Sequence, residues 1–169
     1  LKIFARPDDE RQSPIDVEQV LESALNLANN ELRYRAQLVL DFEGVPKVAA
    51  NELRLSQVFL NLLLNAAQAI PEGHATSNEI RVATRLDPSG KVRVEVRDTG
   101  VGIAPGVLGR IFDPFYTTKP VGLGTGLGLS ICHRIVTGFG GEIRVDSTVG
   151  KGTTVTVVLS LAPGQAPVP

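Results

Sequence analysis

Cysteine is nearly absent from the 169-residue sequence, where Cys132 stands alone. That excludes an internal disulfide and any cysteine-cluster metal site, and it suits a reducing compartment. Histidine is almost as scarce, with only His74 and His133. Neither charge sign prevails, because 17 Lys and Arg stand against 18 Asp and Glu for a net charge of -1. Such a balance offers no basic surface, so neither nucleic acid nor direct membrane contact is expected. Long apolar runs are missing as well. The strongest, Val58 to Leu64, is broken by Asn61 and is too short to cross a bilayer. The chain has no signal-peptide pattern and opens on Leu1 without a methionine. It is therefore read as a piece of a longer cytoplasmic protein, whose remainder is soluble or membrane-anchored.

What is present fits one soluble domain with a real core: 43% of residues are apolar and 21% charged. Leu1 to Arg6 reads as the end of an upstream element, and Pro7 to Ser13 as a linker. Asp16 is the expected N-cap of a helix to about Asn30, with Val17, Val20, Leu21, Ala24, Leu25 and Ala28 facing inward. Gln37 to Phe42 and Lys47 to Ala49 predict short strands. Asn51 caps a second helix that stops near Ile70, before Pro71. Glu79 to Leu86 and Lys91 to Arg97 alternate in period two around Asp87-Pro88-Ser89-Gly90, as a hairpin does. Asp98 to Gly124 lacks periodicity, and a loop that long is usually functional or disordered. A third helix is expected from near Thr125 to just before Gly138. Glu142 to Asp146 and Thr153 to Leu161 predict a closing hairpin, and Ala162 to Pro169 a flexible tail. The order predicts an α+β two-layer sandwich, about three helices on one face of a mixed, mostly antiparallel sheet.

Three stretches carry chemistry. On the second helix Gln57, Asn61, Asn65 and Gln68 share one face. Asparagine is a poor helix former, and a buried amide without a partner costs about 1–3 kcal/mol, so the stripe implies something polar to bind. Loop backbone could equally satisfy it. Asp98-Thr99-Gly100-Val101-Gly102-Ile103 places an acid where a hydrophobic strand ends, followed by glycines that permit a tight turn and a close approach to a ligand. A plain turn is the alternative. Gly122-Leu123-Gly124-Thr125-Gly126-Leu127-Gly128-Leu129 exposes backbone N–H groups at a helix start, which suits an anion. It is neither a dinucleotide fingerprint nor a Walker A loop, and a merely flexible tract is the alternative.

The order of these stretches is more specific than any one of them. An amide helix, Asp-x-Gly-x-Gly, Phe112-Asp113-Pro114-Phe115, the glycine alternation and Gly152-Thr153 follow one another as the N, G1, F, G2 and G3 boxes do. Over Ile15 to Leu161 the chain resembles the GHKL (Bergerat-fold) ATPases, and among them the sensor histidine kinases. Gln57 to Ile70 and Tyr116-Thr117-Thr118-Lys119-Pro120 look most like the nitrogen-regulation type. The resemblance implies a set of roles. Asn65 coordinates Mg²⁺ on ATP, with Asn61 close by. Asp98 accepts a hydrogen bond from the adenine amino group, supported by Thr153, while Gly100, Gly102 and Ile103 shape the pocket. Gly122, Gly124, Thr125, Gly126, Leu127 and Gly128 meet the phosphates. Residues from about 99 to 124 form an ATP lid anchored by Phe112 and Phe115, with Thr117 and Thr118 among the nucleotide-binding residues and Lys119 a candidate contact to the γ-phosphate. Asn61, Asn65 and Lys119 are the catalytic candidates.

Two departures refine this picture. Gln68 stands where many such kinases carry a basic residue. Asn61 stands where ATP-hydrolysing relatives carry a glutamate base, and an amide cannot take that proton, which argues against a dedicated hydrolase. The phosphoacceptor histidine is missing, since neither His74 nor His133 has the acceptor context. Residues 1–14 are accordingly expected to be the end of a dimerisation helix and a linker, and the domain itself to span 15–161. The implied partners are the protein's own dimerisation and phosphotransfer domain and a response-regulator receiver domain. The fragment is expected to be monomeric and the full protein a homodimer. Three alternatives stay open: a nucleotide-binding module without turnover, a GHKL hydrolase, and a serine-kinase anti-sigma relative that the lid motif fits poorly.

Overall fold

The computed structural model describes residues 11–114 and 128–165. The first strand, β1 (Ser13–Ile15), leads into α1 (Val17–Arg35), whose N-cap Asp16 accepts from the Glu18 and Gln19 N–H groups. The helix outruns its expected end because Leu32 extends the buried stripe, and its last residue is tied down: Arg35 donates to the Ile70 carbonyl at 2.8 Å. Strands β2 (Gln37–Phe42) and β3 (Val48–Ala50) follow, then α2 (Glu52–Gln68), capped by Asn51. The hairpin β4 (Glu79–Leu86) and β5 (Val92–Asp98) comes next, then a short helix α3 (Pro105–Leu108). The described part ends with α4 (Gly128–Gly138), β6 (Glu142–Thr148) and β7 (Gly152–Leu159).

Five strands form one sheet in the order β2-β4-β5-β7-β6, with β2 parallel to β4 and the other pairs antiparallel. The three long helices cover one face of it, as the sequence led us to expect. Alternation along β5 sends Val92, Val94 and Val96 inward against Val58, Phe59, Leu62 and Leu63 of α2, all within one buried cluster. Glu18 accepts from Gly44 N at 2.9 Å and from the buried Thr84 hydroxyl of β4 at 2.6 Å, which ties α1 to the β2–β3 turn and to the sheet.

Two local differences from the sequence reading matter. Ser13–Ile15 is a strand paired antiparallel to β3, so packed structure begins inside the expected linker. Three residues are too few for a periodic signal, and a distant partner fixes them. The stretch after Asp98, expected as a loop, holds a helical turn begun by Pro105 at its first position.

Candidate functional site

β5 is the central strand of the sheet, and its inward row runs Val92, Val94, Val96 and then Asp98. A carboxylate thus takes the place of the next core valine, with only 5% of its surface exposed. It accepts Gly100 N–H at 2.8 Å and is also bonded by the N–H of Thr153, its cross-strand neighbour on β7. Burial outweighs those two bonds and raises its pKa to about 6. At neutral pH the group is therefore ionised, and it is an acceptor only.

The turn that follows is stitched to three elements. Val101 N–H donates to Ala69 O beyond the end of α2, and Gly150 N–H donates to Val101 O, each at 2.9 Å. Ile103 N–H donates to Ser147 Oγ on β6 at 2.7 Å. Glycine is required by this stitching. Gly102 and Gly152 hold φ values of +75° and +128°, and a Cβ on either would overlap a carbonyl, that of Thr148 or of Asp98. A Cβ on Gly100 would overlap Ala69. Ser147 is the residue that sequence reasoning missed. The available signal was a serine at the next inward position after Ile143 and Val145, where a core residue is due.

The amide face of α2 is more open than its apolar neighbours suggested. Gln57 and Gln68 are exposed, while Asn61 and Asn65 are half-buried. Asn61 is hydrogen-bonded to Cys132 of α4, where burial raises the thiol to about 11, so Cys132 is no nucleophile near neutral pH. Asn65 faces the start of α4, its Nδ2 standing 3.9 Å from where a Gly128 side chain would begin. Phe112 packs on the core and stacks on His133 with ring centroids 5.0 Å apart. His133 and His74 are both exposed. Among the described residues no group of three His, Cys, Asp or Glu could hold a metal ion. Phe115, Thr117, Thr118, Lys119, Gly122, Gly124, Thr125, Gly126 and Leu127 lie outside the described residues, as does the expected start of the third helix. A shallow cleft of about 360 Å³, lined by Pro71, His74, Asn78, Thr99, Gly100 and Val101 among others, excludes both Asp98 and the amide face.

One face of the sheet thus carries a buried carboxylate, three glycines without room for a side chain, and a neighbouring amide helix. The family model described as Histidine kinase-, DNA gyrase B-, and HSP90-like ATPase matches residues 50–163, which span all of these. The chain belongs to this ATPase family. Within the family it is 37% identical to the sensor kinase CckA of Brucella abortus over 94% of its length, and 38% identical to the sensor histidine kinase ZraS of Escherichia coli K12 over 86%. The chain spans only 18% and 30% of those two relatives. Two solved structures superpose well on the chain. The mycobacterial sensor histidine kinase MprB gives a TM-score of 0.74 at 28% identity, covering 88% of this chain and 96% of that one. Full-length ShkA, solved with AMPPNP, gives 0.78 at 29% identity, covering 93% of this chain and 32% of that one. The expected α+β fold and family are those found.

Proposed function

We propose that this chain is the ATP-binding catalytic domain of a sensor histidine kinase, of the nitrogen-regulation type, and that residues 15–161 form it. The observation that carries the reading is Asp98, an ionised acceptor buried at a strand end between the Gly100–Gly102 turn and Thr153. In this reading Asp98 accepts from the adenine amino group, and Gly100, Gly102 and Ile103 line the base. Gly122, Gly124, Thr125, Gly126, Leu127 and Gly128 offer N–H groups to the phosphates. Thr117 and Thr118 bind the nucleotide and Lys119 meets the γ-phosphate, with Phe112 and Phe115 anchoring the segment that bears them. The AMPPNP held by ShkA supports a nucleotide at this site, as do the intact boxes.

The donor set suits magnesium better than a softer metal. No carboxylate or histidine cluster is offered among the described residues, and Mg²⁺ keeps most of its waters and takes few protein oxygens. Asn65 would hold it through its side-chain oxygen. Once bound, the ion would supply positive charge to offset that of the triphosphate. The chain's own residues position the triphosphate and exclude a base from Asn61, so water is not activated there.

In the whole protein, a homodimer in the cytoplasm, the γ-phosphorus–oxygen bond of ATP breaks as a nitrogen–phosphorus bond forms. The acceptor is a histidine on the dimerisation domain. ADP leaves, the imidazole loses its proton, and the phosphoryl group passes on to an aspartate of a response regulator. Full-length protein given γ-labelled ATP is expected to acquire acid-labile, base-stable label. ATP binding without label would reduce the chain to a nucleotide-binding module, and rapid hydrolysis by the isolated domain would make it a hydrolase. Asn65→Ala is expected to leave the fold intact and weaken ATP about tenfold or more in magnesium, with no further loss in EDTA. Calorimetry checks this, and an unchanged magnesium dependence would remove Asn65 from the metal site.

A further inference from the structure

The hydroxyl of Ser147 meets three groups of the site at once. It accepts Ile103 N–H at 2.7 Å, lies 3.0 Å from the Gly152 carbonyl and stands 2.8 Å from Thr153 Oγ1. A hydroxyl has one proton, and a carbonyl oxygen can only accept. Either hydroxyl can donate in the contact between Ser147 and Thr153, but with the Ser147 proton directed at the Gly152 carbonyl that bond is donated by Thr153. That commits the Thr153 proton and leaves its oxygen an acceptor. Thr153 sits directly across from Asp98 in the inward row of the sheet, as Val155 does from Val96. Two acceptors thus stand side by side at the end of β5 and β7.

We propose that Ser147 sets the hydrogen-bond polarity of the base pocket: it holds Thr153 as an acceptor, so that the pocket takes a purine bearing a 6-amino donor and rejects one bearing a 6-oxo group. The proposal rests on the reading of Asp98 as the purine contact. Ser147 touches no ligand in this scheme and is a positioning residue. Its bond to Ile103 N–H also pins the turn that lines the base. Without the hydroxyl, Thr153 rotates freely and can donate its proton to a 6-oxo group.

The test is a calorimetric titration of the 169-residue chain, in magnesium buffer, with ATP and with inosine triphosphate. The parent chain is expected to favour ATP at least about tenfold. In Ser147→Ala, ATP weakens about tenfold while inosine triphosphate is unchanged or tighter, so the ratio contracts. Ser147→Thr, which keeps the oxygen, restores the parent ratio. A merely structural role would weaken both nucleotides equally, and an unchanged ratio overturns the proposal. Should Ser147→Ala lose its cooperative melting transition, Thr153→Val carries the comparison, because it deletes the oxygen on which the polarity acts. Its ratio contracts if the proposal holds and stays if it does not. A parent chain that takes ATP and inosine triphosphate equally overturns this proposal alone. One that binds neither overturns the purine-site reading as well.

Discussion

Asp98→Asn is expected to do two opposite things: weaken ATP binding and stabilise the empty domain at neutral pH. The loss of binding comes from the charge. An acceptor that bears a full charge contributes about 1.5–3 kcal/mol, so the affinity falls roughly 10- to 150-fold. The gain in stability comes from burial, which raises the Asp98 pKa from 3.8 to about 6. Between those values the folded state holds a proton that the unfolded state has lost, so stability falls as pH rises through the window. Above about pH 6 the full penalty applies, and the shift corresponds to at most about 3 kcal/mol. Asparagine carries no such penalty, although it accepts less well from Gly100 and Thr153. We expect the variant to melt roughly 3–8 °C above the parent at pH 7.5, with the difference vanishing near pH 4. The parent's own ATP affinity is expected to fall as pH drops through about 6, because the carboxylate then takes a proton. Melting curves and titrations across pH 4–8 decide it. A variant that is less stable at every pH would mean that the bonds from Gly100 and Thr153 outweigh burial.

Gly152→Ala is expected to be the most damaging single methyl in the described part of the chain. The residue lies at φ +128°, and its Cβ would overlap the carbonyl of Asp98 on the neighbouring strand. The obstacle is backbone in a central strand pair, so relief requires β5 and β7 to part where Asp98 meets Thr153. Strain and lost pairing together cost roughly 3–5 kcal/mol, a large fraction of a domain's stability. A fall in melting temperature of about 10 °C or more follows, and ATP binding is lost with it. Gly150, two residues earlier in the same hairpin, provides the control. It also has a positive φ, +79°, but nothing lies within 4 Å of where its Cβ would be. Gly150→Ala is therefore expected to cost only about 1 kcal/mol of backbone strain. Equal losses at the two positions would mean that φ alone matters and that the Asp98 contact does not.

Most of the sheet was legible in the sequence because its strands are long enough to alternate. Glu79–Leu86, Lys91–Arg97 and Thr153–Leu161 each read as strands from their alternating inward row.

 The structure bounds these three strands within a residue or two of that reading. The helices were legible for the same reason, since Val17 through Ala28 and Leu55 through Ala67 repeat at helical spacing. What escaped depends on partners far along the chain. The pairing of Ser13–Ile15 with Val48–Ala50, and the parallel placement of β2 beside β4, are matters of register between distant segments. The five residues by which α1 outruns Asn30 are held by Leu32 in the core and by Arg35 against Ile70 and Glu72.

The site divides along the same line. Asp98, Gly100 and Gly102 stood out because an acid and glycines are the wrong residues for the end of a buried strand. Ser147 did not, because a lone hydroxyl in a strand looks like ordinary strand composition until Ile103, Gly152 and Thr153 are seen around it. The amide stripe was legible as a stripe, but its exposure was not. Gln57 and Gln68 are exposed, which spacing alone does not reveal.

The most direct measurement is a crystal structure of the chain with magnesium and a non-hydrolysable ATP analogue. The adenine amino group is expected about 3 Å from the Asp98 carboxylate, with the base against the Gly100–Gly102 turn. A base lodged elsewhere, in the cleft beside His74 and Asn78 for instance, with Asp98 touching no nucleotide, would contradict the account.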